Sequence, residues 1–257
     1  MAKLLVGMLH LPPLPGSPRG RSSLDAIEKL LLADARALAE AGFDAAIVEN
    51  YGDVPFHKDR VEPSTVAAMT RLAATVRGAA GGMTLGINVL RNDAASALAV
   101  AFAVGAEFIR VNVHVGATAT DQGVIEGRAA ETLRLRAALG ADVEIWSDVH
   151  VKHGTSLAHS SIEGEAEDAV LRGLADALIV SGRATGEPAS LDEVRRVKAL
   201  ALEAPVYVGS GVTEGNVREV LACSDGVIVG TALKEEGRTA NPVDRGRALR
   251  FVEKARG

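Results

Sequence analysis

The most constraining feature of the chain is an eightfold alternation of short apolar runs with longer amphipathic runs. The apolar runs are typical of strands, which we predict to begin near Leu4, Ala45, Met83, Phe108, Val143, Ala177, Val206 and Gly226. Parallel strands joined by helices require right-handed crossovers, and eight such units close into a barrel. We therefore predict an α/β fold, a single (β/α)8 TIM barrel that occupies residues 1–257 as one domain.

An open, doubly wound sheet is the weaker alternative. Its glycine fingerprint would follow the first strand, whereas residues 11–16 of this chain hold three prolines. Helix-start signals agree with the barrel count. Ser160 and Ser190 each precede a glutamate by three residues, as in a capping box, and Asn241 stands before Pro242, which predicts another helix start.

Composition sets the outer limits. With 257 residues, 47% apolar and 24% charged, the chain has enough apolar material for a large core. A net charge of −5 argues against nucleic acid as the main partner, since a phosphate backbone requires clustered positive charge. Cys223 is the only cysteine, which excludes an intramolecular disulfide, and no apolar run reaches transmembrane length. We expect a cytoplasmic protein.

Two glycine turns follow the last two predicted strands. Glycine allows a sharp turn and a close approach of the backbone to a ligand, and a following helix start directs free N–H groups at it. In (β/α)8 barrels the loops after strands seven and eight hold phosphate in this way. We therefore predict a phosphate site made by Gly209, Ser210, Gly211, Gly230 and Thr231, with helices starting near Thr213 and after Gly230. The alternative is that these are ordinary tight βα turns.

Side-chain parity along three strands predicts a polar barrel mouth. Aliphatic residues on one parity should face the helices, which turns the alternate residues toward the barrel axis. These inward residues are Asn88 on the third strand, Arg110, Asn112 and His114 on the fourth, and Glu144, Trp146, Asp148, His150 and Lys152 on the fifth. Polar groups of three strands should therefore converge.

Depth along the strands separates the predicted roles. Arg110 and Glu144 lie early in their strands, so we expect a structural ion pair in the barrel floor. Barrel enzymes place catalytic groups near the strand ends. The catalytic candidates are Asp148, His150, Lys152, Glu49, Asn112 and His114, and the substrate-binding candidates are His10, Asn50, Asn88, Asp121 and Ser181. Each of them, taken alone, is equally compatible with an internally satisfied polar residue.

Metal binding stays open at this stage. Glu49, Asp148, His114 and His150 are ligand types that suit a divalent metal, but no local spacing fixes them, so we assign neither metal nor cofactor. Three long segments, at residues 50–63, 115–127 and 151–161, are predicted to be βα loops that carry functional material.

Several motifs together resemble those of the BtpA/SgcQ family. They are Gly-Met-Leu-His-Leu-Pro-Pro-Leu-Pro-Gly at 7–16, Val-Glu-Asn-Tyr-Gly-Asp-Val-Pro-Phe at 48–56, Thr-Asp-Gln-Gly-Val-Ile-Glu-Gly at 120–127, Asp-Val-His-Val-Lys-His at 148–153, and the two glycine turns. The resemblance implies a phosphate-binding, ribulose-phosphate-binding-like TIM barrel. It also brings two biological settings, photosystem I biogenesis at the thylakoid, with peripheral membrane association, and sugar utilisation. It supplies no catalytic residue.

Two functions from different classes follow. The first is an enzyme acting on a small phosphorylated sugar or nucleotide-derived metabolite, which we expect to be a homo-oligomer. In one branch, of isomerase or glycosyl-transfer type, Asp148 or His150 moves a proton and Asp148 keeps Lys152 charged. In the other branch Lys152 forms a Schiff base, as in an aldolase. The second function is a non-catalytic assembly factor for a membrane complex, which should expose a large apolar patch.

Overall fold

The computed structural model describes residues 3–79, 81–182, 186–200 and 202–257. Its main feature is a closed barrel of eight parallel strands. The barrel strands are β1 Leu4–His10, β2 Ala45–Glu49, β3 Thr84–Asn88, β4 Phe108–Val111, β7 Glu144–Val149, β9 Ala177–Val180, β10 Val206–Val208 and β11 Gly226–Val229. Around the barrel they follow the order β1-β11-β10-β9-β7-β4-β3-β2. The predicted TIM barrel is confirmed, and so are the eight strand positions.

Helices alternate with the barrel strands. They are α1 Leu24–Ala41, α2 Pro63–Ala79, α3 Ala94–Val104, α4 Ala129–Ala138, α5 Ile162–Glu167, α6 Leu191–Ala199, α7 Val217–Cys223 and α8 Arg245–Arg256. A π-helical stretch, Asp168–Arg172, continues α5, and a 3-10 turn, Thr231–Leu233, follows β11. In the described part of the chain, none of these helices combines the length and apolarity needed to cross a membrane.

Two apolar layers hold the barrel together. The larger layer lies between the strands and the helices, and the smaller one fills the barrel interior below the mouth. In the interior, the rings of Phe108 and Trp146 stack with centroids 3.6 Å apart, and Tyr207 packs against Trp146 at 4.7 Å. This aromatic floor fills the lower barrel, so a ligand site inside the barrel has to lie above it.

The helix starts agree only partly with the sequence signals. Ser190 caps α6 as predicted, since its side chain accepts from the N–H of Glu193. The predicted cap at Ser160 is wrong by one residue, because Ser161 accepts from Gly164. The predicted start at Asn241 is also wrong. Asn241 ends a turn in which its N–H donates to Arg238 O, Val243 then bridges to Lys234 and donates its N–H to buried Asp34, and α8 begins only after Asp244.

A second sheet replaces two of the predicted long loops. Strands β5 Ala117–Thr120, β6 Gly123–Glu126 and β8 Gly154–Ser156 pair antiparallel in the order β6-β5-β8. Its buried face is a small cluster of Val113, Ile125 and Val151, which anchors it to the ends of β4 and β7. This sheet therefore belongs to the C-terminal side of the barrel.

Candidate active site

A cavity of about 1150 Å³ opens at the C-terminal mouth of the barrel. Its walls come from the ends of the strands, including His10 of β1 and Glu49 of β2, and from both glycine turns. A cavity of this size matches or exceeds the ~300–1000 Å³ of ordinary small-molecule sites. It is therefore the candidate active site, and it lies where barrel enzymes bind their substrates.

The charged walls are mainly basic. Of the charged lining residues in the described ranges, six are basic and three are acidic, namely Arg19, Arg91, Arg110, Lys152, Arg247 and Arg250 against Glu49, Asp121 and Glu214. This balance is opposite to the chain as a whole, whose net charge is −5. The cavity is thus suited to an anionic ligand.

Arg110 makes its ion pair with Asp148, not with Glu144. Its Nε and Nη2 lie 3.1 Å and 2.9 Å from the two carboxylate oxygens of Asp148, and Asn112 Nδ2 donates to the same carboxylate at 2.6 Å. The predicted Arg110–Glu144 floor pair is wrong because Glu144 begins β7, level with Phe108, and its exposed carboxylate accepts from Trp146 Nε1. Asp148 is inward as predicted, but its oxygens are occupied by the protein.

Glu49 and His10 stand side by side on the cavity wall. Asn88 Nδ2 donates to Glu49 Oε2 at 2.8 Å, while Glu49 Oε1 lies 3.7 Å from His10 Nε2. Burial raises the pKa of Glu49 above its usual range, although Arg110 and Lys152 oppose this. Burial lowers the pKa of His10 well below its usual range, and the charges of Lys234 and Lys152 lower it further. A carboxyl with a raised pKa beside an imidazole with a lowered pKa is typical of an acid/base arrangement.

Two buried polar atoms on the wall have no hydrogen-bond partner in the described structure. They are His10 Nδ1 and Asn112 Oδ1. Both residues line the cavity, and the His10 ring is held by a tilted contact with Tyr51 at 4.7 Å. Since a buried polar atom without a partner costs free energy, each atom is a place where a ligand group can hydrogen-bond.

Lys152 spans the rim of the cavity. Its Nζ donates to the carbonyl oxygen of Gly209 at 2.8 Å, and its own carbonyl accepts from Arg91 Nη2 at 2.5 Å. Burial lowers the pKa of Lys152 to about 8, and Arg110 lowers it as well, while Asp148 and Glu49 act in the opposite direction. Asp148 thus acts on Lys152 in the expected direction, but at a distance, because Arg110 and Asn112 take up its carboxylate.

His114 and His150 do not join the site. His114 Nε2 bonds to the carbonyl of Gly173, and the His150 ring lies between Glu165 and Glu193 on the outer helices. Parity fails here because β4 ends at Val111 and β7 ends at Val149, and His150 then adopts a left-handed φ of 52°. Alternation of side chains holds only while the backbone stays extended.

The substrate-binding candidates divide into wall and support residues. His10 and Asp121 line the cavity, Asp121 from the turn between β5 and β6. Asn88 supports Glu49, and the Ser181 hydroxyl lies 3.5 Å from Asp148. Asn50 is buried, and its amide is used by Leu90 and Asp53, so it fixes two loops. The structure therefore indicates a structural role for Asn50 and not the predicted role in substrate binding.

The glycine turns reach the cavity, but their glycines are required mainly by the protein itself. A Cβ on Gly211, whose φ is 64°, would lie 2.3 Å from the backbone of Pro188, and one on Gly230 would lie 2.7 Å from the His10 ring. The helix expected near Thr213 begins at Val217, because Asn216 binds Thr213 N and Gly211 O and holds a turn there. Ser210 and Thr231 line the cavity as predicted.

Arg91 and Tyr51 line the cavity but were not among the predicted site residues. Arg91 is only 7% exposed, and in the described structure no carboxylate lies within salt-bridge distance of it. The only feature of the sequence that indicated Arg91 was its place as a basic residue directly after the apolar end of a strand. Tyr51 stood inside a motif at the end of β2, where strand-end position alone would have indicated the mouth.

The four residues considered for a divalent metal do not converge. Glu49 lines the cavity and Asp148 is sealed against Arg110, whereas His114 bonds to the carbonyl of Gly173 and His150 lies beside Glu165. Throughout the described ranges, no three His, Cys, Asp or Glu side chains are grouped so that they could hold a metal ion. The structure therefore gives no support to a metal site made by these four residues.

Solved structures with the same fold include phosphoribosyl anthranilate isomerases. The enzyme from Pyrococcus furiosus is 15% identical, with a TM-score of 0.57 and 98% of each chain covered. The YdjI aldolase from Escherichia coli K12 is 14% identical, with a TM-score of 0.52, covering 99% of this chain and 88% of the aldolase. At these identities the likeness shows the barrel fold alone.

Sequence relatives are much closer. An uncharacterized protein of Thermococcus kodakarensis is 46% identical over 99% of this chain and 95% of its own length. The photosystem I biogenesis protein BtpA of Synechocystis is 45% identical over 97% of this chain and 86% of its own length. The BtpA family model matches residues 1–257. The chain therefore belongs to the BtpA family.

Proposed function

We propose that this protein is an enzyme that moves protons on a small phosphorylated, sugar-like metabolite bound in the barrel mouth. The observation that carries the proposal is the pairing of Glu49 with His10 on the wall of a predominantly basic cavity. Titratable groups with shifted pKa values that face a cavity are typical of catalytic sites. The reaction class that fits best is isomerase-like or glycosyl-transfer chemistry.

The phosphate would bind between the two glycine turns. The first N–H groups of the 3-10 turn Thr231–Leu233 have no partner within that turn and start at the cavity wall. Lys152 Nζ, fixed on Gly209 O, adds a positive charge beside the same turn. Backbone donors with a neighbouring cation form a strong phosphate site.

The sugar portion would bind deeper, over Asn112 and His10. Asn112 Oδ1 is an unpartnered acceptor, and its orientation is fixed because Nδ2 donates to Asp148. A ligand hydroxyl supplies the matching donor. His10 Nδ1 offers a second polar contact on the adjacent wall, close to Gly230 and so to the phosphate turns.

Proton transfer would use Glu49 and His10 in place of Asp148 and His150. Burial raises the pKa of Glu49, which is held by Asn88, and so favours its protonated form, whereas burial lowers the pKa of His10 and favours the neutral imidazole. The two groups would exchange protons with the substrate. Lys152, Arg91 and Arg110 surround the cavity and would stabilise negative charge that develops on a substrate oxygen.

Hydrogen exchange tests the proposal. Phosphorylated aldoses and ketoses are incubated with the protein in deuterated water, and loss of the proton next to the carbonyl is followed by NMR. Glu49→Gln, which preserves shape, should slow exchange by roughly 100-fold or more. Glu62→Gln, on an exposed carboxylate paired with His57, is the control. Unchanged exchange in folded Glu49→Gln, or no binding of any phosphorylated compound, contradicts the proposal.

A second candidate is a Schiff-base aldolase that uses Lys152. The observation in its favour is the lowered pKa of Lys152, about 8, which leaves a usable fraction of free amine. Borohydride reduction in the presence of the same sugar phosphates, followed by mass spectrometry, separates the two. A substrate-sized adduct on Lys152 supports the aldolase, and turnover without an adduct supports proton transfer by Glu49 and His10.

The assembly-factor alternative rests on the name of the Synechocystis relative. Such a role does not call for a buried carboxyl, an imidazole and a lysine around a cavity of this size. The features of the site favour the enzyme.

A further inference from the structure

Two cations at the cavity wall, the buried Arg91 and the half-buried Lys152, lack a carboxylate partner among the described residues. Lys152 bonds to the carbonyl of Gly209, and Arg91 bonds to the carbonyl of Lys152. Among the described residues, neither has an ion pair, unlike Arg110, which is neutralised by Asp148. Burying an unpaired cation is costly, so both positions favour an anion from outside the protein.

The cationic groups of Arg91 and Lys152 lie apart, at the two ends of the Lys152 residue. Arg91 binds at the main-chain end of Lys152, and the ammonium end reaches the first glycine turn. The cation at the glycine turn belongs to the phosphate site already described. Arg91 lies on the opposite side of the mouth, where the hairpin turn at Asp121 approaches it.

We propose that the ligand carries two anionic groups, one at the glycine turns and one at Arg91, as in a sugar bisphosphate or a phosphorylated sugar acid. This inference rests on the proposed function, because it assigns the substrate class of the same site. The planar guanidinium of Arg91 is suited to a bidentate contact with a phosphate or carboxylate. The cavity volume of about 1150 Å³ leaves room for a ligand that spans both positions.

Charge balance supports a second anionic group. Arg110 is paired with Asp148, whereas Arg91 and Lys152 line the mouth without a carboxylate partner among the described residues. Asp121 contributes an opposing charge, but it is exposed to solvent on the hairpin turn. A ligand with one anionic group, bound at the glycine turns, would leave Arg91 unpaired.

The test compares ribose 5-phosphate, ribulose 1,5-bisphosphate and 6-phosphogluconate by titration calorimetry. At least one of the two compounds with a second anionic group should bind wild-type protein about tenfold more tightly than ribose 5-phosphate, as expected for one added charge-assisted contact. Arg91→Met should abolish this difference. Arg91→Lys should keep part of it, and Arg134→Met, on an exposed arginine of α4, should keep all of it.

The outcomes distinguish the two proposals. Equal affinity of wild-type protein for all three compounds overturns the second anion position and leaves the proposed function standing. Binding of none of them overturns both. The wild-type ratio decides the matter even where Arg91→Met fails to fold, because that ratio does not depend on the variant.

Discussion

Arg110 and Asp148 form a bidentate ion pair that is sealed inside the barrel. The nitrogen–oxygen distances are 3.1 Å and 2.9 Å, and the two side chains are 5% and 0% exposed. The pair joins β4 to β7 directly above the aromatic floor. It thus separates the structural lower part of the barrel from the cavity, and it fixes the orientation of Asn112 on the cavity wall.

Breaking this pair should destabilise the protein strongly. Arg110→Met or Asp148→Leu alone leaves a buried charge without its partner and should cost about 3–5 kcal/mol in the free energy of unfolding. The double variant should lose less than the sum, because neither charge remains. Urea unfolding of the four proteins measures the coupling.

An exposed ion pair supplies the control for this cycle. Arg245 and Glu40 are in contact, but their side chains are 67% and 53% exposed. Their coupling in the same experiment should stay below about 1 kcal/mol. Additive losses for Arg110 and Asp148, or a coupling no larger than that of the exposed pair, would contradict the interpretation.

Gly211 and Gly237 provide a matched test of the first glycine turn. Their φ values are 64° and 65°, but only Gly211 is crowded, with Pro188 atoms 2.3 Å from an added Cβ. Alanine at either position costs about 1–2 kcal/mol for the left-handed backbone. Gly211→Ala should lose about a further 1–3 kcal/mol through overpacking, as measured by urea unfolding. Equal losses would show that the turn yields to the added methyl group.

The fold could be predicted because its signals are local and repeated. Apolar runs identify the strands one by one, and eight βα units leave the barrel as the natural closure. The inward direction of Asn112 and Asp148 also followed from parity, since both lie close to extended strand. These predictions needed only the period of the sequence.

The other parts of the site could not be predicted, because their positions depend on where the strands end. His150 faces outward because the backbone turns left-handed directly after β7, which no alternation rule contains. Likewise, the β5–β6 hairpin pairs with β8, which is distant in the sequence, so both segments were predicted to be loops. Arg110 pairs with Asp148 because its long side chain extends toward the barrel mouth. The position of Arg110 along its strand does not predict how far the side chain extends.

Glu49 should give the stability of the protein a characteristic pH dependence. Its pKa is raised by burial, so between the unfolded and folded values the native state keeps a proton that the unfolded state has lost. Stability then falls as pH rises, by about 1.4 kcal/mol per pH unit within that window. Glu49→Gln should lack this fall, whereas Glu62→Gln should retain it. Parallel wild-type and Glu49→Gln curves from pH 4 upward would contradict the raised pKa.

Lys152 should titrate close to pH 8, because burial and Arg110 disfavour its charge. Between about pH 8 and its ordinary pKa, the unfolded state holds a proton that the native state has released, so stability should rise with pH in that window. After reductive methylation with ¹³C-formaldehyde, NMR should show a lysine signal titrating near pH 8. Lys152→Met should remove this signal and Lys58→Met, on the exposed surface, should not. Inorganic phosphate should shift the titration to higher pH, since a bound anion stabilises the ammonium form. A Lys152 signal that titrates only above pH 10, or one that phosphate leaves unchanged, would argue against a lysine poised beside an anion site.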